Sequence, residues 1–334
     1  TIPNIMNNLP FRKITLADKE EIQSYTFKSY SRNCDLNFMN LCSWQFLYNT
    51  EFAVAHGWLV FRFYADGHLA YMLPCQKRDP HDILQLILED SRRLERPFLM
   101  LGVCENFIPL IDNAMPGVFH FSHDRDYTDY IYDRDALATL AGKRLQAKRN
   151  HANRFAKTYP DYEYRELTSD LIPLCRQLEA KWQTSKLDND SEAAYANELR
   201  SMNFVFEHWE ELDSVGGCIF VDGQMAAFTF GAKINDTTFD VCVEKADTNY
   251  DGIYAVINRD FVRSLPPNFI FINREEDLGI TGLRQAKLSY HPSILLHKYS
   301  AMERQPLSNG LANFRHFRAA VGVNVVSPHN GNAE

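Results

Sequence analysis

Apolar and polar positions along the chain predict the same elements, in the same order, in both halves. Residues 58–74 and 216–231 each contain two apolar, β-prone runs separated by Asp-Gly, a pattern that predicts a tight hairpin. Ahead of each hairpin, residues 10–22 and 162–174 predict a short strand, a threonine N-cap and a helix. The two halves therefore begin alike.

The match continues after the predicted hairpins. Residues 80–103 and 250–273 each predict an amphipathic helix, a break marked by proline and a buried strand. Three matched blocks in the same order indicate an internal duplication. The alternative is chance similarity between ordinary α/β segments.

The domain organisation follows from these blocks, and a chain of 334 residues has the length of two domains. We predict an N-terminal domain over residues 10–145 and a C-terminal domain over residues 161–300. Residues 146–160 are predicted to form a basic helix that connects them, and residues 301–334 a C-terminal helix and tail. Any active site is expected in the second domain.

Composition narrows the class of protein. With 45% hydrophobic and 23% charged residues the chain is globular, and its net charge of −8 excludes a broad basic surface for nucleic acid, although a local patch could hold phosphates. The sequence shows neither an apolar run of about 18 residues nor a signal-peptide pattern, which predicts a cytoplasmic protein without a transmembrane segment. Seven cysteines without a CxxC pair predict neither disulfides nor zinc.

Three segments carry a family resemblance. Residues 143–155, 243–261 and 272–292, together with the order of elements, resemble the phosphatidylglycerol lysyltransferase C-terminal-like family, which is similar in architecture to the Fem-type aminoacyltransferases. The resemblance covers residues 11–299. It implies an α/β (α+β) fold of two tandem GNAT-like domains with mixed central sheets.

The resemblance also implies a reaction, namely transfer of an activated acyl or aminoacyl group to an amine or hydroxyl. The implied acceptor is a lipid headgroup at a membrane surface or a cell-envelope precursor. The first implied donor is aminoacyl-tRNA and the second is acyl-CoA, and another phosphate-bearing small molecule is a further candidate partner. No cofactor or metal is firmly implied. The oligomeric state stays open. The alternative is a non-catalytic binding protein that retains the fold.

Carboxylates at the predicted strand ends are the candidate catalytic residues. Glu244 follows an apolar run, where a GNAT-type sheet opens, and its carboxylate could accept a proton from an acceptor amine. Glu275 and Asp277 follow the next predicted strand at the same rim and could orient an amine. The alternatives are an ion pair between Glu244 and Lys245, and a salt-bridge network at the domain edge.

The candidate substrate-binding residues are basic or lie at a helix start. One predicted helix opens at residues 251–253. In CoA-using GNAT enzymes the turn before the corresponding helix carries a phosphate-binding pattern. Gly252 keeps this pattern whereas Tyr254 departs from it, which puts the binding of a CoA diphosphate in doubt. Arg144 and Lys148, four apart, are expected on one helix face, lining a groove and meeting Arg284 and Lys287; the alternative is a solvated connector. The predicted set is Lys143, Arg144, Lys148, Arg149, Arg154, Gly252, Tyr254, Arg274, Arg284 and Lys287.

Overall fold

The computed structural model describes residues 8–29, 31–184 and 192–304. These residues form two compact units. The first comprises the described residues up to 127 together with residues 297–304, and the second comprises residues 128–296. Among the described residues, no helix combines the length and the apolar character that crossing a bilayer requires.

The first unit contains one mixed sheet of seven strands, in the order β1-β2-β3-β4-β5-β14-β6. Its strands are β1 (Arg12–Lys13), β2 (Glu51–Ala55), β3 (Trp58–Ala65), β4 (His68–Met72), β5 (Leu99–Val103), β6 (Phe119–His123) and β14 (Tyr299–Glu303). Its helices are α1 (Lys19–Thr26), α2 (Phe38–Ser43), α3 (Gln45–Tyr48), α4 (His81–Arg93) and α5 (Ile108–Ala114).

The second unit contains a sheet of the same topology, in the order β8-β9-β10-β11-β12-β7-β13. Its strands are β7 (Asp129–Asp133), β8 (Glu163–Glu166), β9 (Val215–Val221), β10 (Gln224–Lys233), β11 (Thr238–Ala246), β12 (Phe271–Asn273) and β13 (Ile294–Leu296). Its helices are α6 (Arg134–Thr139), α7 (Gln146–Thr158), α8 (Ile172–Thr184), α9 (Glu192–Glu207), α10 (Ile253–Ser264) and α11 (Thr281–Leu288).

Each sheet has one parallel pair of neighbours, β4 with β5 and β11 with β12, and every other pair is antiparallel. Each sheet also takes a strand from a distant part of the chain. β14, which follows the whole second sheet in sequence, lies between β5 and β6, and β7 lies between β12 and β13. The mixed α/β fold predicted from the sequence is confirmed.

Both Asp-Gly hairpins are present. Asp66 and Gly67 join β3 to β4, and Asp222 and Gly223 join β9 to β10, with positive φ at all four residues, as a two-residue primed turn requires. The first turn therefore joins the third and fourth strands of its sheet, whereas the second joins the second and third. The two Asp-Gly hairpins are therefore not counterparts, because they lie one strand apart in the order of the two sheets.

The true counterpart of the Asp222-Gly223 turn is the His56-Gly57 turn, which joins β2 to β3. His56 has φ 51° and Gly57 has φ 73°, so the same turn geometry is built here from a residue that gives a weaker sequence signal than aspartate. The shared topology supports a duplication, which remains a hypothesis.

The predicted domain boundaries differ from this division. Residues 128–145, which the sequence assigns to the first domain, supply β7 and α6 to the second unit. The predicted connecting helix is α7, and it belongs to the core of the second unit, where Phe155 is fully buried in the same cluster as Ile253 and Phe261 of α10. Residues 299–303 form a strand, so the predicted C-terminal helix and tail do not begin at residue 301, and their part beyond residue 304 lies outside the described residues.

Two cysteines of the first unit correct another prediction. Cys75 and Cys104, which follow the parallel strands β4 and β5, form a disulfide, so the prediction of no disulfides is wrong for this pair. A cysteine count and the lack of a CxxC motif carry no information on residues that a parallel strand pair brings together. The free thiols among the described residues are buried: Cys34, Cys42, Cys175, Cys218 and Cys242.

The position of β14 predicts how truncation acts. A chain that ends at Leu296 keeps every strand of the second sheet but leaves β5 and β6 without the strand between them, so their backbone groups lose their partners. We expect this chain to lose the unfolding transition of the first unit in calorimetry. A chain that ends at Arg304 retains every described residue and is the control. Equal melting of the two truncated chains would contradict the assignment of β14.

Candidate active site in the second unit

The candidate site lies where β11 and β12 separate. The two strands pair at only three positions, the last of which joins Asp240 to Asn273. Beyond Asn273 the chain stays with β7, because Arg274 donates its N–H to the carbonyl of Tyr130 and the carbonyl of Glu275 accepts from the N–H of Tyr130. A gap in the sheet therefore opens between the end of β11 and residues 274–277.

A β-bulge turns the end of β11. Val243 pairs with Phe230 and Val241 with Gly231, so Cys242 is an extra residue on β11, and such a residue bends its strand. Gly231 accommodates the bend, since a Cβ there would lie 1.8 Å from the carbonyl oxygen of Asp240. The opening of the sheet is thus built into the backbone.

Glu244 lies inside this gap. It is two residues before the end of β11 and four residues beyond the last contact with β12, and it is 1% exposed. Its Oε1 is 3.4 Å from Nη2 of Arg274, and its Oε2 accepts a hydrogen bond of 3.2 Å from Nδ2 of Asn258 on α10. Both partners are buried, so the carboxylate is held from two sides.

Lys245 lies on the opposite face of β11, as strand alternation requires. Its Nζ is 2.6 Å from Oε1 of Glu198 on α9. The alternative in which Glu244 forms an ion pair with Lys245 is therefore wrong.

Arg274 lies among aromatic rings. Its guanidinium carbon is 4.9 Å from the ring centre of Tyr290 and 5.7 Å from that of Tyr132, distances at which a cation is attracted by a ring face. The side chain is 4% exposed, and its Nε–H makes no hydrogen bond within the described residues. A buried donor of this kind costs free energy unless a ligand or water accepts from it.

Lys148 brings a second cation to the same ring. Its Nζ lies 4.6 Å from the ring centre of Tyr290, and burial, together with the nearby Arg274, lowers the pKa of Lys148. Lys148 and Arg274 carry two positive charges against the one carboxylate of Glu244. The site therefore has a local positive excess, which favours an anionic group.

The other predicted basic residues of this segment do not reach the site. Lys143 and Arg144 are exposed and precede α7, which begins at Gln146, so Arg144 and Lys148 are not stacked on one helix face as predicted. Arg149 donates to the carbonyls of Leu140 and Gly142. Arg154 forms an exposed ion pair of 3.2 Å with Asp251.

Asp277 anchors the segment that follows β12. This buried carboxylate accepts hydrogen bonds from the hydroxyl of Tyr130, from the N–H of Gly279 and from Nε and Nη2 of Arg284, the last two at 2.8 and 2.9 Å. Burial raises the pKa of Asp277, but the hydrogen bonds from Arg284 and Tyr130 outweigh it, and the pKa is lowered. Such a carboxylate is a structural anchor rather than a proton acceptor.

Lys287 holds the backbone of the same segment. It is buried, and its Nζ donates to the carbonyls of Arg274 and Glu276 at 2.6 and 2.5 Å. Burial and the charge of Arg274 lower the pKa of Lys287 to about 8. Arg284 and Lys287 therefore bind protein groups and do not form the predicted exposed pair. Lys148 instead shares the ring of Tyr290 with Arg274.

Glu275 is also buried, in a left-handed conformation with φ 62°. Its N–H donates to the side-chain oxygen of Asn273 at 2.7 Å, which fixes the turn out of β12. Its carboxylate raises the pKa of Lys287. Of the three predicted catalytic carboxylates, Glu244 is the one in the gap that contacts Arg274.

The start of α10 is closed by α7. Gly252 has φ 82°, and a Cβ there would lie 2.5 Å from the carbonyl oxygen of His151. Tyr254 is buried, and its hydroxyl accepts a hydrogen bond of 3.3 Å from the N–H of Ala246. Gly252 therefore permits close helix packing and Tyr254 braces the end of β11, and the substrate contacts predicted for them stay a prediction.

Sequence reasoning missed Tyr132, Asn258 and Tyr290. Asn258 lies one helical turn after Tyr254, so the helical period predicts a shared face, and that spacing is the signal that could have found it. Tyr132 and Tyr290 read as ordinary core residues. Their role depends on the pairing of β7 with β12, which the sequence pattern did not indicate.

Comparisons with known structures show the fold. L-PGS from Bacillus licheniformis is 14% identical with a TM-score of 0.60, covering 90% of this chain and 95% of that one. The C-terminal domain of a putative lysylphosphatidylglycerol synthetase from Agrobacterium fabrum is 12% identical with a TM-score of 0.59, covering 87% and 93%. The fold is therefore GNAT-like, with two mixed sheets.

The family is shown by the sequence itself. The model of the family described as phosphatidylglycerol lysyltransferase, C-terminal, matches residues 27–302, and the chain belongs to this family. A conserved protein of unknown function from Bacteroides thetaiotaomicron is 50% identical with a TM-score of 0.85, covering 89% of this chain and all of that one. An uncharacterized protein of Mycoplasmoides gallisepticum is 26% identical over 172 residues, a match spanning about half of each chain.

The anchor at Asp277 yields a prediction on stability and pH. Asp277→Asn removes the charge from a buried carboxylate whose partner Arg284 is partly exposed, so we expect a loss of about 1.5–3 kcal/mol at pH 7. Because the folded pKa lies below the unfolded value, the wild-type contribution is present above about pH 4 and is lost as pH falls through the folded pKa.

Urea unfolding between pH 2 and 7 measures this effect. The variant is expected to lack the acid-dependent part of the loss that the wild type shows. Tyr130→Phe, which keeps the Arg284 contact and removes one hydrogen bond, is the control and should lose about 0.5–1.5 kcal/mol. Wild-type stability of Asp277→Asn at pH 7 would contradict the anchor.

Proposed function

We propose that this protein is an acyl or aminoacyl transferase whose reactants meet in the gap between β11 and residues 274–277. The observation that carries the proposal is the buried carboxylate of Glu244, held in the opening of the sheet by Arg274 and Asn258. Membership of a family of lysyltransferase C-terminal domains supports transfer as the reaction class.

Glu244 is proposed as the general base. The nitrogen or oxygen of the acceptor forms a bond to the acyl carbon while its proton passes to the carboxylate of Glu244. The bond from the acyl carbon to the donor oxygen or sulfur then breaks, and Glu244 returns the proton to that leaving atom. The separation of 3.4 Å from Arg274 is long for a charged hydrogen bond. General-base catalysis contributes roughly 10²–10⁴-fold, and alignment of the two reactants supplies much of the rest.

The local positive excess favours a donor or acceptor with a phosphate. Lys148 and Arg274 both contact Tyr290, and the buried Nε–H of Arg274 is directed at no protein acceptor within the described residues. We propose aminoacyl-tRNA as the donor and a lipid headgroup or a cell-envelope precursor as the acceptor. Both carry phosphate groups near the reacting atoms.

Acyl-CoA is a weaker candidate for the donor. The helix start that would bind its diphosphate packs against α7 at Gly252, where the carbonyl of His151 comes within 2.5 Å of a Cβ position. A carbonyl oxygen at this place repels phosphate oxygens, because both carry negative charge. Micromolar binding of CoA in a calorimetric titration would reverse this preference.

A non-catalytic binding protein is the second candidate function. The observation that favours it is that Asp277, Arg284 and Lys287 bind one another or the backbone, as in a fold that has kept its architecture without its chemistry. A transferase needs the carboxylate of Glu244 as its general base, whereas a binding protein does not.

Substitution of Glu244 tests the proposed function. We expect Glu244→Gln to lower single-turnover transfer from labelled lysyl-tRNA to phosphatidylglycerol vesicles by about 10²–10⁴-fold, because the amide cannot take the proton. Donor affinity, measured by filter binding, should change little, since the amide keeps the shape of the carboxylate. Glu163→Gln, at an exposed position of β8, is the control. Transfer by Glu244→Gln at the wild-type rate, or no transfer by the wild type from any aminoacyl or acyl donor, would favour the binding protein.

A further inference from the structure

A second cluster of charged residues lies on the other face of β11. Lys245 is fully buried, with its Nζ 2.6 Å from Oε1 of Glu198 on α9 and 4.0 Å from Oε1 of Glu179 on α8. Both glutamates are nearly inaccessible, with 2% of Glu179 and 3% of Glu198 exposed. We call these three residues the Lys245 triad.

Aromatic residues enclose the triad. Nζ of Lys245 lies 4.0 Å from the ring centre of Trp182, and the hydroxyl of Tyr195 donates to Oε1 of Glu179 at 2.9 Å. On β10, the residues opposite 244–246 are Thr229, Phe228 and Ala227, none of which titrates. Lys181 of α8 is exposed and pairs with Asp247. Within the described residues, Lys245 and Tyr195 contact the two glutamates.

The charges of the triad do not balance if both glutamates are ionised. One ammonium then faces two carboxylates, which leaves one negative charge in a site that excludes water. Oε2 of Glu179, both carboxylate oxygens of Glu198 and Nζ of Lys245 make no hydrogen bond within the described residues, so the 2.6 Å contact between Lys245 and Glu198 is an ion pair without hydrogen-bond geometry. A buried charge and buried acceptors without donors are both costly, so a positive charge or a proton is needed beside the two glutamates.

We propose that the two glutamates of the Lys245 triad share one proton in the native protein, so that the triad is neutral and ties α8 and α9 to the end of β11. A proton supplies one donor for the carboxylate oxygens and cancels the excess charge without needing space for another group. Burial raises the pKa of Glu198 against the opposing effect of Lys245, in agreement with this arrangement. Two carboxylates in one site commonly divide a proton in this way.

The position of the triad gives it a structural consequence. Beyond Asp240, β11 has lost its contact with β12 and is paired with β10 alone in the sheet. Lys245 therefore adds a side-chain contact that anchors this segment of β11. Because side chains alternate along a strand, Glu244 lies on the opposite face of the same segment. Protonation of the Lys245 triad does not depend on the transfer reaction.

Substitution of Glu198 tests the shared proton. Glu198→Gln is neutral at every pH, whereas in the wild type the native state binds a proton that the unfolded chain has released above about pH 4.5. The wild-type stabilisation by this proton is complete below the unfolded pKa and declines as pH rises. The melting temperature of Glu198→Gln minus that of the wild type should therefore increase by at least about 2 °C from pH 5 to pH 8.

An exposed glutamate on the same helix provides the control. Glu207→Gln, an exposed change on the same helix, should give a difference that does not vary with pH. A difference for Glu198→Gln that is flat or falls from pH 5 to pH 8 would overturn the proposal, because an ionised Glu198 paired with Lys245 contributes fully above its unfolded pKa and gives no rise in this range. If methylammonium chloride, but not sodium chloride, raises the melting temperature of the wild type and not that of Glu198→Gln, the missing charge is a bound cation and the proposal fails.

Infrared spectroscopy gives an answer that does not depend on the folding of a variant. The wild type at pH 7 should show the carbonyl stretching band of a buried carboxylic acid. This band should be lost in Glu198→Gln or in Glu179→Gln if either variant folds. Absence of the band from the wild type would overturn the proposal.

Discussion

The separation of β11 from β12 is the constraint on which the rest of the second unit depends. Three residue pairs hold these parallel strands together, and then the bulge at Cys242 bends one strand while the backbone of residues 274–275 follows β7 instead. A sheet that loses a neighbour in its middle exposes backbone groups and side chains that would otherwise be paired. The gap therefore has to be stabilised from its rims.

The rims are stabilised by charge, and the two faces of β11 do this differently. On one face Glu244 contacts Arg274, Lys148 contacts Tyr290, and the net charge of Glu244, Arg274 and Lys148 is positive. On the other face Lys245 meets two glutamates, and the balance without a proton is negative. Asp277 and Lys287 fasten the opposite rim through Arg284 and through backbone carbonyls. The first unit closes the corresponding ends of β4 and β5 with Cys75 and Cys104.

Much of this fold is readable in the sequence. Asp-Gly turns and the helical period of α4 and α10 are local signals, and they predict the hairpins β3–β4 and β9–β10, these two helices and the segment after β12. Non-local pairing is not readable in this way. β14 and β7 enter sheets far from their sequence neighbours, so the boundary at residue 145 and the partner of Lys148 were misplaced. A charge or a hydroxyl in the sequence does not reveal the group that it binds inside the fold, so the backbone contacts of Lys287 and Tyr254 could not be predicted.

A double-substitution cycle on Glu244 and Arg274 tests the central claim most directly, namely that these two residues act as one unit in the gap of the sheet. Single-turnover transfer is measured for Glu244→Gln, Arg274→Met and the double variant, with the folded fraction of each determined by calorimetry. Since residues that act as a unit have non-additive effects, the double variant should be no slower than the slower single variant. A double variant whose loss equals the product of the two single losses would contradict the account.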